Sequence, residues 1–238
     1  MQTVYYLILV PMVYVALAIF IIGTGWQTVR IFRGLRFSLK TAVGPEKKPK
    51  ALGAIYETLS FSRALRAHPV YWFFLLLLHV AIVLLILGHL ELVAEIRVLQ
   101  VIEHQVFLGR GAVGVILFVT GLFFLLRRFH SPVVEISKPV DFYVLVLLIL
   151  IVLLGSQLHL ARRLFDYSTI GVDEYRQYLS SLFIFRPALP EVFTEYGVGH
   201  SFLLVLHVFL ANLFLMLFPA STMMHSLLAL PLARLRRG

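Results

Sequence analysis

The sequence predicts an all-α fold: an integral membrane bundle of five transmembrane helices, with the N-terminus outside and the C-terminus in the cytoplasm. Three observations predict it. The 238 residues are 60% hydrophobic and only 14% charged, with a mean hydropathy of +0.92, whereas charged residues make up about a quarter of a soluble domain. The apolar residues gather in five runs long enough to cross a hydrocarbon core, which takes roughly 20 residues of helix. The segments between these runs differ sharply in basic content, which sets orientation.

The first run, Val4 to Trp26, has no basic stretch before it and no small-residue cleavage site after it. "RIFRGLR" follows at once, so it reads as an anchor and not a removed signal. The connection beyond it holds Arg30, Arg33, Arg36, Lys40, Lys47, Lys48, Lys50, Arg63 and Arg66, and contains "VGPEKKPK", a polar linker too short to fold alone. The second run spans Val70 to Val93 and the third Val106 to Leu126. Arg127, Arg128 and Lys138 follow the third. The fourth runs from Asp141 to Leu160 and the fifth from Ser201 to Leu230, with Arg234, Arg236 and Arg237 in the tail. Fifteen of the 21 lysines and arginines thus fall on one side, which the positive-inside rule makes cytoplasmic. The outer stretch "FDYSTIGVDEYRQYLSSLFIFRPALPE" is long and mixed in character, and is expected to cap the bundle with a short helix. No internal repeat is visible, and an odd number of spans argues against the symmetric halves of many secondary transporters. One membrane domain, residues 1–238, accounts for the chain, in a cytoplasmic (inner) membrane.

Two features remove whole classes of function. The net charge of +9 sits beside the spans, so it reflects topology and lipid contact, and no nucleic-acid partner is expected. Cysteine is absent, which excludes disulfides, iron–sulfur ligation, thiol catalysis and covalent C-type haem attachment. Metal chemistry in this chain must rest on histidine, methionine or oxygen.

Nine histidines are present. His68, before Pro69, His130, in "RFHSP", and His104, in a short outer loop, read as interfacial. His79 and His89 bound "HVAIVLLILGH" in the second run, while His207 and His225 share the fifth, with His200 at its outer edge and His159 at the end of the fourth. An ionisable side chain within a span is costly and faces a bundle interior or a cofactor. One such histidine is as readily explained by a hydrogen bond to a neighbouring helix. Four on two helices point further: imidazole is a strong iron ligand, and a haem held between two helices takes one histidine from each. Two pairs on antiparallel helices predict two b-type haems stacked across the membrane.

Topology pairs His89 with His207 near the outer face and His79 with His225 near the inner face. Spacing leaves a tension. His79 and His89 stand about 15 Å apart along a helix, and His207 and His225 about 27 Å. Eighteen residues are close to five whole turns, so the second pair would share a face on an unbroken helix, and Pro219 between them is the expected place for a bend. A rival pairing joins His200 with His89 and His207 with His79, whose seven-residue spacing of about 10 Å is nearer to 15 Å. Spacing does not separate the two.

The chain resembles the gamma-subunit family of respiratory nitrate reductase, a five-helix di-haem cytochrome b, over nearly its whole length. The matching pieces are "HVAIVLLILGH" with Gly88 before His89, "RRFHSP" after the third run, Asp141 opening the fourth, and "LHVFLANLFLMLFPASTMMH" in the fifth. Both histidine spacings agree with that family's ligands. The resemblance implies haem ligation by His89 with His207 and His79 with His225. Departures bear on partners: the first cytoplasmic connection is longer, "ETLSFSRALRAHPVYWFF" is more similar to cytochrome b subunits of sulfur metabolism such as that associated with dissimilatory sulfite reductase, the tail is shorter, and Ile102 falls near a lysine of the family's quinol pocket. The implied role is a membrane subunit exchanging electrons between menaquinone or another quinone and a cytoplasmic iron–sulfur subunit, in a sulfur-metabolism complex or, alternatively, a nitrate reductase, with outer-face electron-transfer subunits as further partners.

Iron with both axial positions filled carries single electrons and binds no substrate. A quinone pocket is expected beside the outer haem, where Gly88 would let a ring approach His89 and His104 or Glu103 would relay protons; helix or haem packing explains Gly88 equally well. Basic residues near both faces are available to haem propionates, although topology and phospholipid contact account for most of them. Gly111, Gly114 and Gly121 lie on one stripe of the third run, for which close helix packing is the simpler account. Two other classes remain on the sequence: a histidine-bearing proton or metal transporter, which would more often carry acids or broken helices at mid-membrane, and a structural anchor. Both predict a colourless protein.

Overall fold

In a bilayer, backbone N–H and C=O groups have no water to bond, so an apolar run satisfies them within itself as helix. The computed structural model describes residues 2–42, 60–93, 112–165, 172–190 and 199–224, and every regular element among them is helical. In chain order these are α1 (Gln2–Leu9), α2 (Pro11–Ala42), α3 (Ser62–Ala67), α4 (Pro69–Val93), α5 (Ala112–Arg128), α6 (Val133–Ile136), α7 (Pro139–Phe165), α8 (Val172–Phe183) and α9 (Gly199–Leu217).

Among the described residues four segments are long and apolar enough to cross a membrane: Gln2–Gly34, Pro69–Leu90, Pro139–Gln157 and Phe202–Ala220. The first joins α1 to α2, since hydrogen bonds from Val10 N–H to Tyr6 O and from Tyr14 N–H to Val10 O carry the ladder past Pro11. The third expected run, Val106 to Leu126, corresponds to α5, a 17-residue helix; residues 101–111 lie outside the described ones.

The fifth run departs from the sequence expectation. α9 ends at Leu217; a 3-10 turn follows over Phe218–Ala220, Ser221 is extended, and a second 3-10 turn covers Thr222–Met224. Pro219 has no N–H, and its ring conflicts with the carbonyl four residues back, so the helix stops where a straight ladder from His207 to His225 would have to pass. The bend expected at Pro219 is thus a break in the helix, and His225 beyond it lies outside the described residues.

α4 packs on α5, α5 on α7, α7 on α9, and α9 on α2, and α8 packs on α4. Leu78 and Ala81 of α4, Val113 and Leu117 of α5, and Val152 of α7 form one core cluster. Gly121 brings α5 close to α7, because a Cβ there would stand 3.1 Å from Ile149 Cγ1. At the N-terminal end, Leu9 and Val10 pack with Tyr178 and Leu182 of α8 and Leu204 and Val205 of α9, and Asn212 Nδ2 donates to Ile8 O at 3.2 Å.

The opposite end carries Arg127, Arg128 and one buried acid. Arg127 lies 4.1 Å above the Tyr71 ring. Asp141, only 2% exposed, accepts from Thr222 N–H at 2.7 Å and from Lys138 N–H at 3.0 Å, with Arg128 Nη1 at 3.7 Å. Arg128 also donates to Ser137 Oγ at 2.9 Å and Thr222 Oγ1 at 3.3 Å. A buried carboxylate persists only when its partners replace water, and here those partners tie the broken end of the fifth run to the start of α7.

Candidate functional site

His79 is half-buried on α4, and its Nδ1 lies 2.8 Å from Leu75 O, one turn back. A carbonyl only accepts, so Nδ1 is the donor in this contact and Nε2 is the nitrogen that would face a metal. That is the arrangement a metal-binding imidazole needs, held by a backbone partner that also fixes the ring. The Phe61 ring packs at 4.8 Å from the imidazole, tilted 48°. Phe61 holds left-handed backbone angles, φ 48° and ψ 34°, just before α3, a conformation uncommon for a bulky residue.

His89, ten residues on, repeats the arrangement: Nδ1 is 2.8 Å from Leu85 O, on an exposed face of α4. Gly88 before it is buried.

His207 is half-buried on α9 and takes its partner from another helix, with Nδ1 at 3.1 Å from Ile151 O of α7. Gly155 makes room, since a Cβ at that position would stand 3.3 Å from His207 Cε1 and 3.7 Å from Nδ1. The three described histidines within the spans thus each set Nδ1 against a backbone carbonyl, and Nε2 is the nitrogen that would meet a metal.

α4 packs on α5 and on α8, and shares no extensive packing with α9 among the described residues. Among the described residues no group of three or more His, Asp or Glu side chains gathers to hold a metal ion, and iron held by two imidazoles and a porphyrin asks for none. The residues present fit a bis-histidine haem.

His225 follows directly on Met224, and it lies outside the described residues, as does His104 with its neighbour Glu103. His68 and His130 are exposed at helix ends, outside the spans, as expected of interfacial residues. Sequence reasoning missed Phe61 and Gly155. A lone glycine in an apolar run gives no sign of which ring it admits, and Phe61 precedes the spans altogether.

A family model described as nitrate reductase gamma subunit matches residues 61–238. No curated protein matches the chain.

Proposed function

The chain belongs to the nitrate reductase gamma subunit family, membrane subunits that bind haem b, and from that premise we propose that it carries two b haems between membrane quinone and a cytoplasmic iron–sulfur partner. His89 and His207 would hold one haem and His79 and His225 the other. Bound between two imidazoles, haem iron exchanges single electrons and has no open position for a substrate. The observation that carries the reading is the placement of His79, His89 and His207 on apolar spanning helices with Nδ1 of each set against a backbone carbonyl. Such a partner raises the basicity of the ligating nitrogen and fixes the ring plane.

Quinol oxidation releases protons as well as electrons. We place that step beside His89, where Gly88 has no side chain to hold a ring away and His104 or Glu103 would take up the protons. The basic end of the bundle would then face the cytoplasm and the iron–sulfur subunit. The sequence features that set this chain apart from nitrate reductase lie chiefly in the long first connection, most of which precedes the matched residues. They favour a complex of sulfur metabolism, with nitrate reductase the alternative. The pyridine haemochrome spectrum of the purified chain should give two haem b per polypeptide; a preparation without haem overturns the reading.

One observation favours the rival pairing of His79 with His207 and His89 with His200. Phe74 stacks on Phe123, Gly121 faces Ile149, and Ile151 O receives His207. Stepping along these antiparallel contacts sets His79 level with Phe118, and Phe118 level with Val152, beside the carbonyl that His207 meets. Haem loss in single-histidine variants separates the pairings.

A further inference from the structure

α8 ends in an unusual way. Arg186 N–H donates to Ser181 O at 2.9 Å and Phe185 N–H to Leu182 O at 3.1 Å, the bond pattern that closes a helix with a left-handed residue, ordinarily glycine. Here the residue is Phe185, at φ 57°. A bulky side chain in that conformation is strained and signals that the ring is wanted where it stands. The ring is 79% exposed, and Phe183 and Ile184 before it are 64% and 66% exposed. Three consecutive large apolar side chains therefore project from the end of an otherwise amphipathic helix.

The projection is rigidly mounted. Ser181 Oγ donates to Tyr178 O at 2.6 Å and accepts from Ala188 N–H at 3.0 Å, which closes the loop behind the tip. Tyr14 donates from its hydroxyl to Leu182 O at 2.8 Å and stacks on Phe185 with centroids 5.5 Å apart. Tyr178 donates to Leu9 O. Leu9 and Tyr14 belong to the first spanning segment, Gln2–Gly34, and Leu7 and Val15 beside them are 52% and 50% exposed. The apolar tip thus continues the lipid-facing surface of that span, and exposed Arg186 follows it, placed to reach lipid phosphate as long cationic side chains do at an interface.

We propose that residues Phe183 to Phe185 insert into the bilayer at the headgroup–acyl boundary, with Arg186 on the phosphates, so that the lipid itself anchors α8 against the end of the bundle. The partner is a lipid surface. Because the chain has no cysteine, single labels are clean. Ile184→Cys and, separately, Phe183→Cys are spin-labelled in the haem-loaded protein in phosphatidylethanolamine–phosphatidylglycerol vesicles, with Gln177→Cys on the exposed polar side of α8 as reference. Collision with oxygen, which partitions into lipid, is compared with collision with a water-soluble nickel chelate, and taking the ratio at each label cancels relaxation by iron. The oxygen-to-nickel ratio should be several-fold higher at 183 and 184 than at 177. Ratios at 183 and 184 equal to that at 177 would place the tip in water, and low accessibility to both reagents would place it under protein; either result overturns the proposal.

Discussion

Replacing Gly155 by alanine tests whether α7 sets the position of a haem ligand. The new Cβ would stand 3.3 Å from His207 Cε1, a tight contact from which the ring must retreat by a few tenths of an ångström. His207 is not free to retreat without loss, because its Nδ1 is held at 3.1 Å by Ile151 O of the same helix that carries the intruding methyl. The retreat lengthens that bond to about 3.4 Å, past the ordinary N–H···O range. A hydrogen bond contributes about 1 kcal/mol net, roughly a fivefold change in an equilibrium constant at 1.4 kcal/mol per factor of ten. Loss of a partner that orients a metal ligand commonly costs 10–100-fold in affinity, so Gly155→Ala should weaken one haem by about fivefold and Gly155→Val by about 10-fold or more. Haem titration of membranes under limiting haem, followed by reduced-minus-oxidised difference spectra, reads the loss on one band while the other serves as internal control. If both variants retain the full complement of haem and unchanged midpoint potentials, the placement of His207 against Gly155 has no bearing on a ligand, and the reasoning fails.

Gly23→Ala should lower thermal stability by about 1–3 kcal/mol, because its Cβ would stand 2.8 Å from the Pro219 ring, whereas Gly25→Ala, with nothing within 4 Å, should be neutral or slightly stabilising; equal melting temperatures for the two would contradict the close approach of α2 to the break. Asp141→Ala leaves Arg128 and two backbone donors without their shared acceptor and should destabilise by about 3–5 kcal/mol, with Asp141→Asn, which keeps an acceptor for Thr222, losing less in the same denaturation assay. Burial, and then the neighbouring Tyr178 for Tyr175 and Tyr14 for Tyr178, pushes both α8 hydroxyls above the ordinary tyrosine value. The folded state therefore keeps protons that the unfolded chain releases above about pH 10, and α8 should hold full stability below that pH and lose it as pH rises further. Tyrosinate absorbance that tracks the loss of α8 protection in hydrogen exchange would show this, and full ionisation near pH 10 with α8 intact would refute it.

Spans were legible because bilayer-crossing helices announce themselves by length and hydropathy. Pro219 was legible as a bend but not as a stop, since sequence does not show that Asp141 waits to accept the backbone N–H freed at Thr222, or that Arg128 meets the Thr222 hydroxyl. The three spanning histidines that the structure describes were legible as anomalies in oil. What holds them was not: Leu75 and Leu85 contribute only carbonyls, which every residue has, and Gly155 acts through a contact with a helix more than fifty residues away. The cap between the fourth and fifth runs was expected as a short helix and is one, α8, with Asp173 and Glu174 in its first turn where the helix dipole favours acids. Its left-handed Phe185 had no sequence signal, because glycine is the residue that normally announces such a turn.

The most direct measurement is the difference spectrum and haem stoichiometry of four single variants, His79→Ala, His89→Ala, His207→Ala and His225→Ala, beside the parent chain. Two haem b in the parent, one and the same band missing from the His89 and His207 variants, and the other missing from the His79 and His225 variants, is the expected result. A parent without tetrapyrrole, or a His207 variant that loses the band lost with His79, would contradict it.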